Sequence, residues 1–178
     1  MLRGLTLRLA FVISFVAPGV MAGSVSFRFS QVDQFAGRYV LLRDQSEDLK
    51  QAIDRATSTM NFILRPIARR QLRQRAVLYP SLAMGRAGES FKTNLADKQI
   101  LSLPLSGLPV LWKAPFGEMV RAHLRLGPEL VEIFEAKHGR CENFLRLSPD
   151  RRVLTIHVRM ISDELPRPVE YRLVYRKV

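Results

Sequence analysis

Val153–Met160 reads Val-Leu-Thr-Ile-His-Val-Arg-Met, and Val169–Arg176 reads Val-Glu-Tyr-Arg-Leu-Val-Tyr-Arg. In the first segment Leu154, Ile156, Val158 and Met160 fall on one side, with Thr155, His157 and Arg159 on the other. In the second, Val169, Tyr171, Leu173 and Tyr175 oppose Glu170, Arg172, Val174 and Arg176. A period of two sends alternate side chains to opposite faces of a strand, so each segment has one face to bury and one to leave wet. The same alternation recurs in Glu118–Leu126, where Val120, Ala122, Leu124 and Leu126 face away from Arg121, His123 and Arg125. Arg140–Leu147 places Cys141, Leu145 and Leu147 together, whereas Leu130–Glu135 is apolar on both faces and leaves its orientation open. Gly127-Pro128, Lys137–Gly139 and Ser148–Arg151 separate these segments with residues that favour turns.

Upstream, Arg38–Leu42, Val77–Met84, Glu89–Asn94, Gln99–Leu105 and Leu108–Trp112 complete a series of about nine or ten strands. Gly85–Gly88, Ala96–Lys98, Ser106-Gly107 and Pro115–Gly117 are the turns between them. So long an antiparallel meander with one apolar face either closes into a barrel or folds into two packed sheets, because both hide its edges. The period changes once, after Leu42. Leu49, Ile53, Ala56, Met60, Ile63 and Ile67 recur at steps of four and three, which is the stripe of an amphipathic helix. Asp44 or Ser46 can cap it, and Asp44 with Glu47 has capping-box spacing. Pro66 either opens a second helix or kinks a single long one. Acidic Glu47 and Asp48 at the start and Arg69, Arg70, Arg73 and Arg75 at the end suit the helix dipole.

Residues 1–22 read as an export signal. Arg3 and Arg8 precede the apolar run Leu9–Val16, and Pro18-Gly19 and the small-residue pattern Val20-Met21-Ala22 follow. That run is short for a bilayer span, so cleavage after Ala22 is expected, with residues 23–178 forming one domain in the periplasm or outside the cell. The whole chain of 178 residues carries a formal charge of +12. Loss of Arg3 and Arg8 still leaves a strong excess of positive charge, which favours anionic partners, and export argues against nucleic acid as the physiological one. Cys141 is the sole cysteine, so no internal disulfide forms. It reads as a buried thiol, with pairing to a second chain as the alternative.

The order Phe35, Gly37, Arg38, Tyr39, Val40, Leu41, then Asp44, Asp48, Leu49 and a helix, resembles the opening of the calycin superfamily, most nearly its fatty-acid-binding-protein branch. The resemblance implies a mainly β fold. An antiparallel meander closes into a calycin-like β-barrel, with a helix or helix-turn-helix after the first strand and a closing strand that bears a tyrosine, here Tyr175. Pro66 would divide the two helices. One departure concerns the ligand. Intracellular members commonly hold a carboxylate with an inward Arg-x-Tyr pair on the last strand, but Leu173 stands two residues before Tyr175, and Arg172 and Arg176 have the outward phase. A neutral or lipid-like ligand is therefore expected in place of a carboxylate captured by that route.

Catalytic patterns are absent from the sequence. His123, His138 and His157 have no metal-ligand spacing, no motif asks for a cofactor, and Ser148 lies in no nucleophile elbow. Alternation puts Glu129 and Glu135 on the face opposite Glu132, so no acid and base pair is indicated. Trp112, beside a corner, reads as a core or rim aromatic.

Two functional readings follow. In the first, the chain is an exported, non-catalytic barrel binding a small hydrophobic ligand. Val120, Ala122, Leu124, Ile156, Val158, Tyr171, Leu173 and Tyr175 would line the interior, and Ile53, Met60 and Ile63 would form a lid. In the second, the same residues fill a solid core, and the protein docks on an anionic membrane surface or an acidic protein. Arg69, Arg70 and Arg73 would serve that docking, joined by the outward arginines of the sheet, namely Arg121, Arg125, Arg146, Arg159, Arg172 and Arg176.

Overall fold

The computed structural model describes residues 30–178. The export signal read at 1–22, with the chain up to Phe29, lies outside the described residues. Ten strands follow one another: β1 (Gly37–Leu41), β2 (Ser81–Ala87), β3 (Ser90–Leu95), β4 (Gln99–Pro104), β5 (Val110–Lys113), β6 (Met119–Arg125), β7 (Leu130–Ala136), β8 (Gly139–Leu147), β9 (Val153–Ile161) and β10 (Val169–Lys177). All pair antiparallel in one sheet of order β4-β3-β2-β1-β10-β9-β8-β7-β6-β5. First and last strands thus meet, and the barrel is closed by hydrogen bonds everywhere except between β4 and β5. There the Gln99 side-chain amide donates to the Lys113 carbonyl across the gap.

Register puts the alternating segments where their pattern requires. Tyr171 lies opposite Val158, Leu173 opposite Ile156, and Tyr175 opposite Leu154, and all six are buried. In β7, Leu130 joins the core, whereas Val131 and Ile133 are buried apart from the core cluster. Two hydroxyls tie strand ends to the interior: Tyr39 Oη donates to the Phe35 carbonyl at 2.9 Å and Tyr175 Oη to the Tyr79 carbonyl at 3.2 Å.

Helices α1 (Leu49–Thr57) and α2 (Leu64–Arg75) occupy the connection from β1 to β2. The cap of α1 is Asp48, not Asp44 or Ser46. Its carboxylate accepts from Lys50 N at 2.7 Å and Gln51 N at 3.4 Å. The earlier residues are held elsewhere: Leu42 N donates to the Val174 carbonyl, Glu47 N to the Arg172 carbonyl, and Val174 N to Ser46 Oγ. This lacing extends the contact with β10 and leaves room only for a short 3-10 turn at Arg43–Gln45, so the α-helix starts after Asp48. Pro66 falls in the first turn of α2, where a missing N–H costs nothing, so it opens a second helix and kinks none.

The single stripe is accordingly broken. Ile53 and Ala56 are buried, Met60 sits half-buried in the connection, and Ile63 and Ile67 are 59% and 52% exposed. Helix α1 ends where the buried Thr57 hydroxyl donates back to the Ile53 carbonyl at 2.8 Å. The second helix runs on its own axis, so the 3.6-residue period does not carry across. The strand expected from Val77 begins at Ser81, after Pro80, whose carbonyl accepts from Leu41 N at 2.9 Å. The turn expected over Gly85–Gly88 tightens to Gly88-Glu89, with Gly88 at φ +59° and Ala87 opposite Ser90.

Replacing Asp48 by Ala removes the two accepted hydrogen bonds at the start of α1, and the variant should lose about 1 kcal/mol of stability in urea unfolding.

Candidate functional site

The interior of the barrel is not filled by its own side chains. A cavity of about 220 Å³ lies inside it, where a single water needs only about 10–15 Å³. Leu72 of α2 and Ala76 just after it, Pro115 and Phe116 between β5 and β6, His138 and Gly139 at the start of β8, and Ser162 and Leu165 after β9 border it. At the border Arg75 pairs with Glu118 at 3.3 Å and lies over the Phe116 ring, 5.9 Å from its centroid. Gly139 is required here, since a Cβ on it would stand 2.5 Å from the Ile161 carbonyl oxygen.

The walls are mostly aliphatic and aromatic. Of the residues expected inside, Val120, Ile156, Val158, Tyr171, Leu173 and Tyr175 line the cavity. Ala122, Leu124 and Ile53 are buried in the core but do not border the space, and Met60 and Ile63 lie away from it. The helix bordering the cavity is α2, through Leu72 and Arg75, with Ala76 just after it, and not a lid of Ile53, Met60 and Ile63. Leu82, Met84, Leu101, Trp112 and Phe134 add apolar surface from the other strands, with Trp112 and Phe134 in ring contact at 5.5 Å. The indole Nε1 of Trp112 is buried without a hydrogen-bond partner.

One wall is polar. Glu132 on β7 is 4% exposed and borders the cavity. Its Oε1 accepts from Thr93 Oγ1 on β3 at 2.9 Å, and its Oε2 accepts from Asn143 Nδ2 on β8 at 3.2 Å. The Thr93 bond joins strands that are not neighbours in the sheet, so it spans the interior. Burial pushes the Glu132 carboxyl above the usual glutamate range, and the hydrogen bonds from Asn143 and Thr93 oppose that shift in part. Cys141, two residues from Asn143 and on the same face, has its thiol raised to about 12 by burial and by the fields of Glu132 and Glu142. Such a thiol stays protonated and is a poor nucleophile. Burial also raises the Tyr171 phenol.

Glu132 escaped the sequence reading because Leu130–Glu135 is apolar on both faces, so alternation names no inner side. A carboxylate within a strand buried on both sides was the available signal. The outward arginines behave differently. Arg121 pairs with Glu135 at 3.0 Å, Arg159 with Glu170 at 3.1 Å, and Arg146 with Glu129, while Arg125, Arg172 and Arg176 are exposed. Arg69 is bound to Asp54 and to Thr57 Oγ1, both at 3.0 Å, whereas Arg70 and Arg73 on the same helix are exposed. His157 lies beside the Phe144 ring, and His138 sits at the cavity border.

Comparison with known proteins gives a likeness in three dimensions only. No family model matches the chain, and no curated protein matches its sequence. The fold matches Echinococcus granulosus fatty-acid-binding protein 1 at a TM-score of 0.53 and 16% identity, over 82% of this chain and 98% of that one. A Schistosoma mansoni fatty acid binding protein in complex with arachidonic acid matches at 0.51 and 12%, over 83% and 98%. A secretory abundant heat-soluble protein from Ramazzottius varieornatus matches at 0.57 and 10%, over 82% and 96%. The chain therefore shares the fold of these proteins, an antiparallel barrel with a helix-turn-helix after the first strand.

The Glu132 shift has a sign that can be measured. A carboxyl raised on folding favours the folded state fully at pH below the ordinary glutamate value of 4.5, and that contribution is lost as pH rises through the raised value. Glu132→Gln cannot ionise. Stability of the native protein relative to the variant should fall as pH climbs above 4.5 and then level off, read by urea unfolding across pH 4–9.

Proposed function

We propose that this protein is an exported, non-catalytic carrier that holds a small hydrophobic molecule inside its barrel. The observation that carries the reading is the unfilled, mainly apolar cavity, walled by the strands and bordered by α2. Burial of ligand surface there is worth about 25 cal/mol per Å², and a few polar wall groups set orientation. The fold is shared with fatty-acid-binding proteins, one of them in complex with arachidonic acid, which supports a hydrophobic ligand without naming it. Export rests on the Arg3–Ala22 pattern at the start of the chain.

A second surface favours contact with membranes. Phe62, Ile63, Leu64 and Ile67 are 78%, 59%, 55% and 52% exposed at the start of α2, next to the exposed Arg70 and Arg73. Apolar side chains flanked by arginines suit the interface of an anionic bilayer. Docking on such a surface is the alternative reading, and it is compatible with carriage.

Two measurements test these readings. Nile red should gain fluorescence with the native protein. Val158→Trp, which pushes an indole into the cavity at a cost of ~1–3 kcal/mol of overpacking, should abolish the gain while the far-ultraviolet circular dichroism stays native. Full dye uptake by the folded variant would contradict the proposed interior. In sedimentation with phosphatidylglycerol vesicles, Arg70→Glu with Arg73→Glu should weaken binding several-fold, as should salt. Absence of native binding at low salt would remove the docking reading.

A further inference from the structure

We propose that the cavity takes an apolar molecule whose head group donates a hydrogen bond, an alcohol or an amine, and that Glu132 is the residue that receives it. The inference rests on the carrier reading and gives it a ligand class.

The first observation is the charge inventory of the interior. Among the described residues, the buried polar and charged side chains are Thr57, Thr93, Glu132 and Glu142, with no lysine or arginine; Arg75 and Arg140 border the cavity as half-exposed side chains already held by carboxylates, Arg75 by Glu118. Glu142 is paired with Arg140 at 3.0 Å. Glu132 borders the cavity, and its two hydrogen-bond partners are the neutral Thr93 and Asn143. Ionised, a carboxyl group has about four acceptor sites, and protonated it trades one of them for an O–H donor; the protein uses one acceptor site on each oxygen. The acceptor capacity left over faces an apolar space, where only a donor satisfies it well.

The second observation is what the last strand lacks. Leu173 and Tyr175 line the cavity, while Arg172 and Arg176 are exposed, so no guanidinium on β10 can neutralise an anionic head. A fatty acid carboxylate brought against Glu132 would set two acids together in a low-dielectric site, where one of them must take up a proton. An alcohol donates to Glu132 and still accepts, and the unpartnered Trp112 Nε1 on the same cavity is a donor that its oxygen can use. An amine donates to Glu132 as a cation and carries the counter-charge with it.

The test is displacement of Nile red by 1-dodecanol, dodecylamine and laurate, three molecules with the same length of chain, from the native protein and from Glu132→Gln. Head groups differ in their own partition out of water, so the reading is the change in affinity ratio between the two proteins. Dodecanol or dodecylamine should bind the native protein at least tenfold more tightly than laurate, and that ratio should shrink at least tenfold in Glu132→Gln. An unchanged ratio, or laurate bound as tightly as both others by the native protein, overturns the assignment and leaves the carrier reading standing. Dye uptake with no displacement by any of the three overturns the assignment too. Absence of dye uptake itself overturns the carrier reading, and this one with it. Thr93→Val, which frees Oε1 without altering charge, serves in place of Glu132→Gln should that variant not fold; its ratio should rise, and a fall contradicts the proposal.

Discussion

A ten-stranded antiparallel sheet with one apolar face has to hide that face, and the rest of this structure follows from how it does so. Curling the sheet until β1 meets β10 turns every inward residue of ten strands toward a common axis. Closure removes all edges but two, and those two, β4 and β5, are held near each other by a side-chain bridge from Gln99 in place of a ladder. A barrel of this circumference is wider than its side chains can fill, so the same act that hides the apolar face leaves a cavity behind it. Helices α1 and α2 are the long connection from β1 to β2, and α2 borders that cavity with Leu72 and Arg75.

Against this apolar interior Glu132 is an exception that needs support. A buried carboxyl is costly unless its oxygens find donors, and Thr93 from across the barrel and Asn143 from the next strand supply one each. The arrangement positions a polar group in an otherwise greasy wall, and burial holds its proton more tightly than water would. Cys141 beside it is quieted by the same burial. Wall chemistry of this kind discriminates between ligands by head group, whereas the aliphatic remainder discriminates only by size and shape.

Much of the fold was legible because strands declare themselves by a period of two. Leu154, Ile156, Val158 and Tyr171, Leu173, Tyr175 alternate cleanly, and the register places them opposite one another inside. Legibility failed where that period vanished or where hydrogen bonds to distant residues overrode a local signal. Leu130–Glu135 is apolar on both faces, so nothing local said that Glu132 points inward. Asp44 had capping-box spacing, but Leu42 and Glu47 were already bonded to β10, and the cap moved to Asp48. Ile63 and Ile67 continued the stripe on paper, and a turn after Thr57 left them in solvent. The cavity could not be read at all. Val158 beside empty space and Leu124 in a packed core are the same kind of residue in the same phase, and only the width of the closed barrel tells them apart.

The central claim is that the space inside the barrel exists to be occupied. Native mass spectrometry of the protein purified without denaturation from the cells that make it, followed by organic extraction of whatever it releases, addresses that claim directly. A carrier of the proposed kind would release a stoichiometric apolar molecule with a hydroxyl or amine head. A uniformly ligand-free protein that also takes up no apolar dye would contradict it and leave a barrel that works from its outer surface.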